Sequence, residues 1–265
     1  MTVTDRRGRF VTDLDKSDFE IVEDNRPQKV LGLGTRSELP LRLAVLLDTS
    51  NSIRERFRFI QEAAVEFIRG VMRPGLDKAM IVSFDTSIDN VAELNDNTDK
   101  LAAAIRDLHP GGGTSLYDAV FHACRDRLAA EEPRYEYRRA MIVLSDGEDT
   151  QSHSTRDQAL AMAQKSDVVI YAVSTNSEKM ETHGDRVLKY LAQETGGLAF
   201  FPFKLTDLGK SFQHLANELR HQYNIYYRPD PVKTDGKFHA VSVRVKTRKD
   251  LVVRARKGYY APRPD

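Results

Sequence analysis

The chain has 265 residues, with 40 Lys and Arg against 39 Asp and Glu, and one cysteine. That length allows one large domain with an ample core plus a smaller unit. A net charge of +1 removes general attraction to nucleic acid or an anionic membrane, no apolar run nears the roughly 20 residues that span a bilayer, and a lone cysteine excludes an intrachain disulfide and a multi-thiolate zinc site.

Residues 1–34 alternate apolar and polar, as in Arg9-Phe-Val-Thr-Asp13 and Phe19-Glu-Ile-Val-Glu-Asp-Asn25-Arg-Pro-Gln-Lys-Val30. The pattern predicts strands joined at Asp24-Asn25 and no helix. No charged-then-apolar leader precedes them. Strands are predicted next at 41–48, 78–85, 140–145, 168–174 and 198–202, alternating with helices at 99–108, 115–130, 155–166, 184–195 and 206–221. A further helix follows the first of these strands. It is marked by Ile53, Phe57, Ile60, Ala64, Phe67, Ile68 and Val71 at helical spacing and closed by Pro74-Gly75. Such alternation predicts a doubly wound, mostly parallel α/β sheet flanked by helices. In the helix from Ser115 to Ala130, Leu116, Val120, Cys124 and Leu128 recur every fourth position, which puts the thiol on the core face.

From 223 to 261 the half-buried strand pattern returns, in Tyr223-Asn-Ile-Tyr-Tyr-Arg228, Phe238-His-Ala-Val-Ser-Val-Arg-Val245 and Leu251-Val-Val-Arg-Ala-Arg256. Turns at Thr234-Asp-Gly236 and Arg248-Lys-Asp250 separate them. Neither flank is long enough to bury a sheet face alone. Both termini are therefore expected to form one small antiparallel β-sandwich, with the α/β domain inserted between them. The expected divisions are 1–37, 38–222 and 223–265.

The apolar run Leu43-Ala-Val-Leu-Leu47 ends in Asp48-Thr-Ser50-Asn-Ser52. The polar cluster falls at the carboxyl end of a strand buried on both faces, where open α/β sheets bind ligands. In an extended turn alternate residues point the same way, so Asp48, Ser50 and Ser52 can converge, offering hard oxygen donors without sulfur or imidazole. Magnesium suits such donors, with manganese or calcium as alternatives. Two more segments place oxygen donors just after a strand or before a helix: Gly111-Gly-Gly-Thr114-Ser115 and Ala140-Met-Ile-Val-Leu-Ser145-Asp146-Gly147-Glu148-Asp149.

Taken together, these segments resemble the von Willebrand factor type A domain. Its metal-ion-dependent adhesion site reads D-x-S-x-S, then Thr, then Asp, in three separate loops. The resemblance spans roughly Pro40 to His221. It implies that Ser50, Ser52 and Thr114 supply hydroxyl ligands, while Asp48 and Asp146 act directly or through water. It further implies cation-dependent recognition of a protein partner whose Glu or Asp carboxylate completes the metal shell. A short antiparallel edge strand is implied at 90–94. The flanks resemble those of a bacterial, acidobacterial-type family related to the same domain, in Asp18-Phe-Glu-Ile-Val-Glu-Asp24 and Arg254-Ala-Arg-Lys-Gly258-Tyr-Tyr260. That resemblance favours an extracytoplasmic protein whose leader is absent from this sequence, with a cytoplasmic setting as the alternative.

Other polar residues carry competing readings. Asn51 is expected to face away from the metal. Glu148, Asp149 and Asp85 are weighed between a direct role at the site and simple solvation, and Asp118 is expected to help begin its helix. Arg54, Glu55, Arg56 and Arg58 form either a charged rim that steers a partner or a solvated helix face. Glycines 111–113 lack the Lys-Ser or Lys-Thr of a phosphate loop, so nucleotide binding is not expected. His214 and His221 share a helical face, and a solvated or capping role is favoured there over zinc binding. Two other functions stand beside adhesion: a scaffold in which the cation only pins three loops, and a metal-dependent hydrolase. Against the hydrolase, no histidine lies near Ser50 or Ser52 in sequence, no G-x-S-x-G elbow occurs, and the hydroxyl-rich site lacks an evident general base.

Overall fold

The computed structural model describes residues 1–35, 39–131, 133, 136–176, 180–202 and 205–263. Four short strands open the chain: β1 (Thr2–Thr4), β2 (Phe19–Glu23), β3 (Arg26–Gln28) and β4 (Val30–Thr35). The α/β portion then runs β5 (Leu41–Asp48), α1 (Phe57–Val71), β6 (Lys78–Phe84), β7 (Ile88–Asn95), α2 (Thr98–Arg106), α3 (Leu116–His122), β8 (Arg138–Ser145), α4 (Arg156–Lys165), β9 (Val168–Ser174), α5 (His183–Thr195), β10 (Ala199–Phe200) and α6 (Leu205–Arg220). Four strands close the chain: β11 (Tyr223–Tyr227), β12 (Phe238–Val245), β13 (Val252–Arg254) and β14 (Gly258–Tyr260).

The central sheet has six strands in the order β10-β9-β8-β5-β6-β7. All its pairings are parallel except β6 with β7, so the edge strand expected near 90–94 is present and antiparallel. Every residue of β5 and β8 is buried, because helices cover both faces. The period-two geometry sorts the side chains of β5. Leu43, Val45 and Leu47 pack with Ile60, Ile68, Leu101, Ile105 and Leu215 of α1, α2 and α6. Ala44 and Leu46 pack on the opposite face with Leu116, Val120, Leu160 and Leu191 of α3, α4 and α5.

The two termini pair as antiparallel strands. β1 pairs with β13, β4 with β11, and β2 with β12, giving the sheet order β14-β12-β2-β3 in the largest of them. Asp24 and Asn25 both have positive φ, 47° and 64°, which is the backbone of a two-residue hairpin. Val3, Leu14, Phe19, Tyr223 and Val245 form a small buried cluster, in which the rings of Phe19 and Tyr223 meet edge-on at 5.7 Å. The terminal sheets attach at the amino ends of the central strands. Arg256 pairs with Asp167, just before β9, at 2.7 Å, and Arg254 pairs with the fully buried Glu218 of α6.

Four expectations are corrected. The helix expected at 115–130 is α-helical only to His122, passing through a π turn at Ala123–Arg127 and a 3-10 turn at Leu128–Ala130. α1 begins at Phe57, because a 3-10 turn at Asn51–Ile53 intervenes while still burying Ile53. A 3-10 turn at Lys16–Asp18 interrupts the N-terminal strands. The strand expected at 198–202 is reduced to Ala199–Phe200. The division expected between 37 and 38 falls outside the described residues.

Candidate metal centre

β5 delivers Asp48 to the carboxyl edge of the sheet, where it is fully buried. One carboxylate oxygen, Oδ1, accepts the Ser50 N–H at 2.8 Å. The other, Oδ2, accepts the Ser145 hydroxyl at 2.6 Å. Ser50 is extended, with φ −63° and ψ 164°, and the 3-10 turn that follows returns Ser52 so that the two hydroxyl oxygens lie 2.9 Å apart. Asp48, Ser50 and Ser52 thus converge as the alternation in sequence requires.

Ser145 was not foreseen as a site residue. It ends β8, directly beside β5, and its hydroxyl donates to Asp48 while accepting the Gly147 N–H at 3.0 Å, fixing the turn that carries Asp146. Gly147 is needed there. Its φ is +82°, and a Cβ would sit 2.2 Å from the carbonyl oxygen of Gly184, at the start of α5. Asp146 is half-buried and accepts the Glu148 N–H through Oδ1 at 3.1 Å. A serine that ends a strand gives no distinctive sequence signal. Only the pairing of β5 with β8 reveals its role.

The third loop, 111–115, docks on the first. Gly111 N–H donates to the Thr49 carbonyl at 2.6 Å, and Asn51 N–H donates to the Gly112 carbonyl at 3.3 Å. Thr114 is buried, 5% exposed, and its backbone is tied to the loop after β8. Its carbonyl accepts the N–H groups of Thr150 and Gln151, both at 2.9 Å, and its own N–H donates to the Thr150 hydroxyl at 3.1 Å. All three sequence-identified loops therefore meet at one edge of the sheet.

Electrostatics at this edge favour a cation. Burial pushes the Asp48 carboxyl up to about 6, with the Ser145 and Ser50 hydrogen bonds opposing that shift and the neighbouring Asp146 charge reinforcing it. Among the described residues no Lys or Arg pairs with Asp48 or Asp146. Serine and threonine hydroxyls with carboxylate oxygens are a hard donor set that fits magnesium, calcium or manganese.

The remaining candidates have other partners. Asn51 turns to the Gly112 carbonyl through Nδ2 at 3.2 Å and accepts Arg54 at 2.8 Å. Asp85 accepts the Ser87 N–H at 2.8 Å. Glu148 accepts the Gly184 N–H at 3.0 Å. Asp149 takes the N–H of Tyr117 and the hydroxyl of Ser152, at 3.2 and 2.6 Å. Asp118 does more than begin its helix, since both its oxygens hold backbone N–H groups of the 153–154 segment at 2.8 Å. Arg54 and Arg56 bond to carbonyls of neighbouring loops, which makes them loop ties, whereas Arg58 stays on the solvated face beside Glu62. His214 and His221 are exposed on that face: Nδ1 of His221 caps α6 at the Asn217 carbonyl, 2.8 Å away, and both rings pack around Phe10, with ring centroids at 5.9 and 4.8 Å. Cys124 is fully buried, and burial pushes its thiol up, so it packs as a small apolar side chain.

A model of the von Willebrand factor type A domain matches residues 43–218. The chain belongs to this family, whose members are metal-dependent adhesion and protein-interaction modules, typically non-enzymatic. Solved structures with the same fold include a von Willebrand factor type A protein from Catenulispora acidiphila, at TM-score 0.60 and 16% identity over 80% of this chain and 52% of that one. Another is proximal thread matrix protein 1 of the mussel byssus, solved with a zinc-occupied adhesion motif, at TM-score 0.59 and 16% identity over 74% and 49%. A D319A mutant of the PilB minor pilin of Streptococcus sanguinis matches at TM-score 0.56 and 14% identity over 70% and 62%. The chain spans less than two thirds of each of these three structures. No curated protein sequence matches it significantly. No described helix is long and apolar enough to cross a membrane.

Proposed function

We propose that this chain is a cation-dependent protein-binding module in which Asp48, Ser50, Ser52, Thr114 and Asp146 hold one divalent ion, physiologically magnesium. The observation that carries this reading is the fully buried Asp48. Among the described residues it is surrounded by hydroxyl groups and a second carboxylate, and no Lys or Arg pairs with it. A cation supplies what the protein omits. Ligands that are mostly neutral hydroxyls leave such an ion electron-poor and able to accept one further oxygen, and a Glu or Asp of a protein partner is the group we assign to that position. Described histidines are engaged elsewhere or lie outside the ligand set, which argues against a hydrolase. An extracytoplasmic setting accompanies this reading, since a pilin and a byssus protein share the fold.

The test is water-proton relaxation of the manganese-loaded protein during titration with a short peptide bearing one glutamate. A fall in relaxivity, absent with the glutamine peptide, is expected as the carboxylate displaces metal-bound water. Equal responses to the two peptides would contradict carboxylate recognition.

A further inference from the structure

Asp118 lies in the first turn of α3, and a carboxylate there would ordinarily be explained by the helix dipole. Its contacts describe a different role. Oδ2 accepts the His153 N–H and Oδ1 the Ser154 N–H, both at 2.8 Å, from a segment 35 and 36 residues away in sequence. The first N–H groups of α3 are satisfied from that same segment: Tyr117 N–H by Asp149 at 3.2 Å and Asp118 N–H by the Ser152 hydroxyl at 3.0 Å. The Ser152 hydroxyl in turn donates to Asp149 at 2.6 Å. The two loops therefore cap each other. Continuous with this lacing are the bonds of Thr150 and Gln151 to Thr114.

We propose that Asp118 is a positioning residue for the metal centre, holding the 146–155 loop against the 111–118 loop so that Thr114 and Asp146 face the same cation. This rests on the metal-binding reading above. A carboxylate is required because two N–H groups, fixed in adjacent peptides, need two acceptor oxygens. The residue is 8% exposed, so water is a poor substitute for either bond. Burial would raise the carboxyl, but the Ser154 and His153 bonds outweigh it and bring the group down to about 2, consistent with a permanently ionised anchor. Without it, the segment that orients the Thr114 backbone loses its tether, although no metal ligand is altered.

The experiment is calorimetric titration of manganese into the full chain and its Asp118→Ala, Asp118→Asn and Asp48→Ala variants, with thermal melts of the metal-free proteins. Removing partners that orient metal ligands costs about 10- to 100-fold in affinity. Asp118→Ala is expected to bind at least about tenfold more weakly, and Asp118→Asn, which keeps one acceptor, between it and the parent. If Asp118→Ala does not fold, Ser152→Ala carries the test, with a smaller loss of affinity expected. A lower melting temperature with the parent's dissociation constant in the folded variant would overturn the positioning role. Absence of binding in the parent, matching Asp48→Ala, would overturn the metal reading itself and the positioning role with it.

Discussion

Two fully buried carboxylates stand at opposite ends of the central sheet and are treated differently. Glu218, near the amino ends of the strands, is paired with Arg254 of the terminal sheets. Asp48, at the carboxyl end, has only hydroxyl and amide partners among the described residues. Taking a charge out of water costs several kcal/mol unless it is compensated. The matched charge belongs to architecture, joining α6 to β13. The unmatched one is the carboxylate that the proposed cation would neutralise. The same contrast extends outward: Arg256 and Asp167 close the join at one end, while at the other the loops are laced mainly by side-chain oxygens accepting backbone N–H groups.

Breaking the matched pair should have the largest effect. Arg254→Ala would leave Glu218 charged and alone, and is expected to destabilise the protein by about 3 kcal/mol, read from urea unfolding. A change below ~0.5 kcal/mol would show that this pair contributes little to the join. Asp48→Asn should act in the opposite sense on the metal-free protein. Because burial raises the Asp48 carboxyl only to about 6, the group is still mostly ionised at neutral pH and its charge costs the folded state free energy, so removing that charge is expected to add about 1 kcal/mol, or ~2–4 °C in melting temperature. Destabilisation of the metal-free protein by this variant would mean that the charge is compensated within the fold.

The terminal sheets give the smallest prediction. The His239 side chain is buried between two carboxylates, with Nδ1 2.7 Å from Asp24 and Nε2 3.0 Å from Asp235. Carboxylates only accept, so both ring nitrogens must donate and the ring is an imidazolium. The hydrogen bonds to Asp24 and then Asp235 raise its pKa. Lys233, 3.9 Å from Asp24, Glu23, held by the hydroxyls of Tyr227 and Tyr259, and Arg263 over Gly236 complete its charged and titratable surroundings. A raised folded-state pKa stabilises below the unfolded value of about 6.5, and that contribution is lost as pH rises through the folded value. His239→Gln should therefore flatten the decline in stability of the parent above about pH 6.5. Parallel curves for parent and variant would show that the His239 contacts with Asp24 and Asp235 contribute nothing to stability.

The central sheet was legible because β5 and β8 carry uninterrupted apolar runs and the helices keep apolar stripes at the correct spacing. The Asp24-Asn25 hairpin was legible because few residues tolerate positive φ. The convergence of Asp48, Ser50 and Ser52 follows from local alternation. What escaped depends on contacts between distant segments. Ser145 gains its role only beside Asp48, Asp118 only beside residues 153–154, and the π turn at Ala123–Arg127 retains an apolar spacing that reads as ordinary helix. His214 and His221 were legible as one helical face, but their partner Phe10 lies in the N-terminal segment.

Calorimetric titration of magnesium into chelator-treated protein, beside the Asp48→Ala and Asp146→Ala variants, tests the central claim most directly. Saturable binding of one ion by the parent, lost in both variants while their far-ultraviolet circular dichroism is preserved, is the predicted result. Undiminished binding in either variant would contradict the assigned ligand set, and no binding in the parent would contradict the reading of Asp48 as a cation-demanding carboxylate.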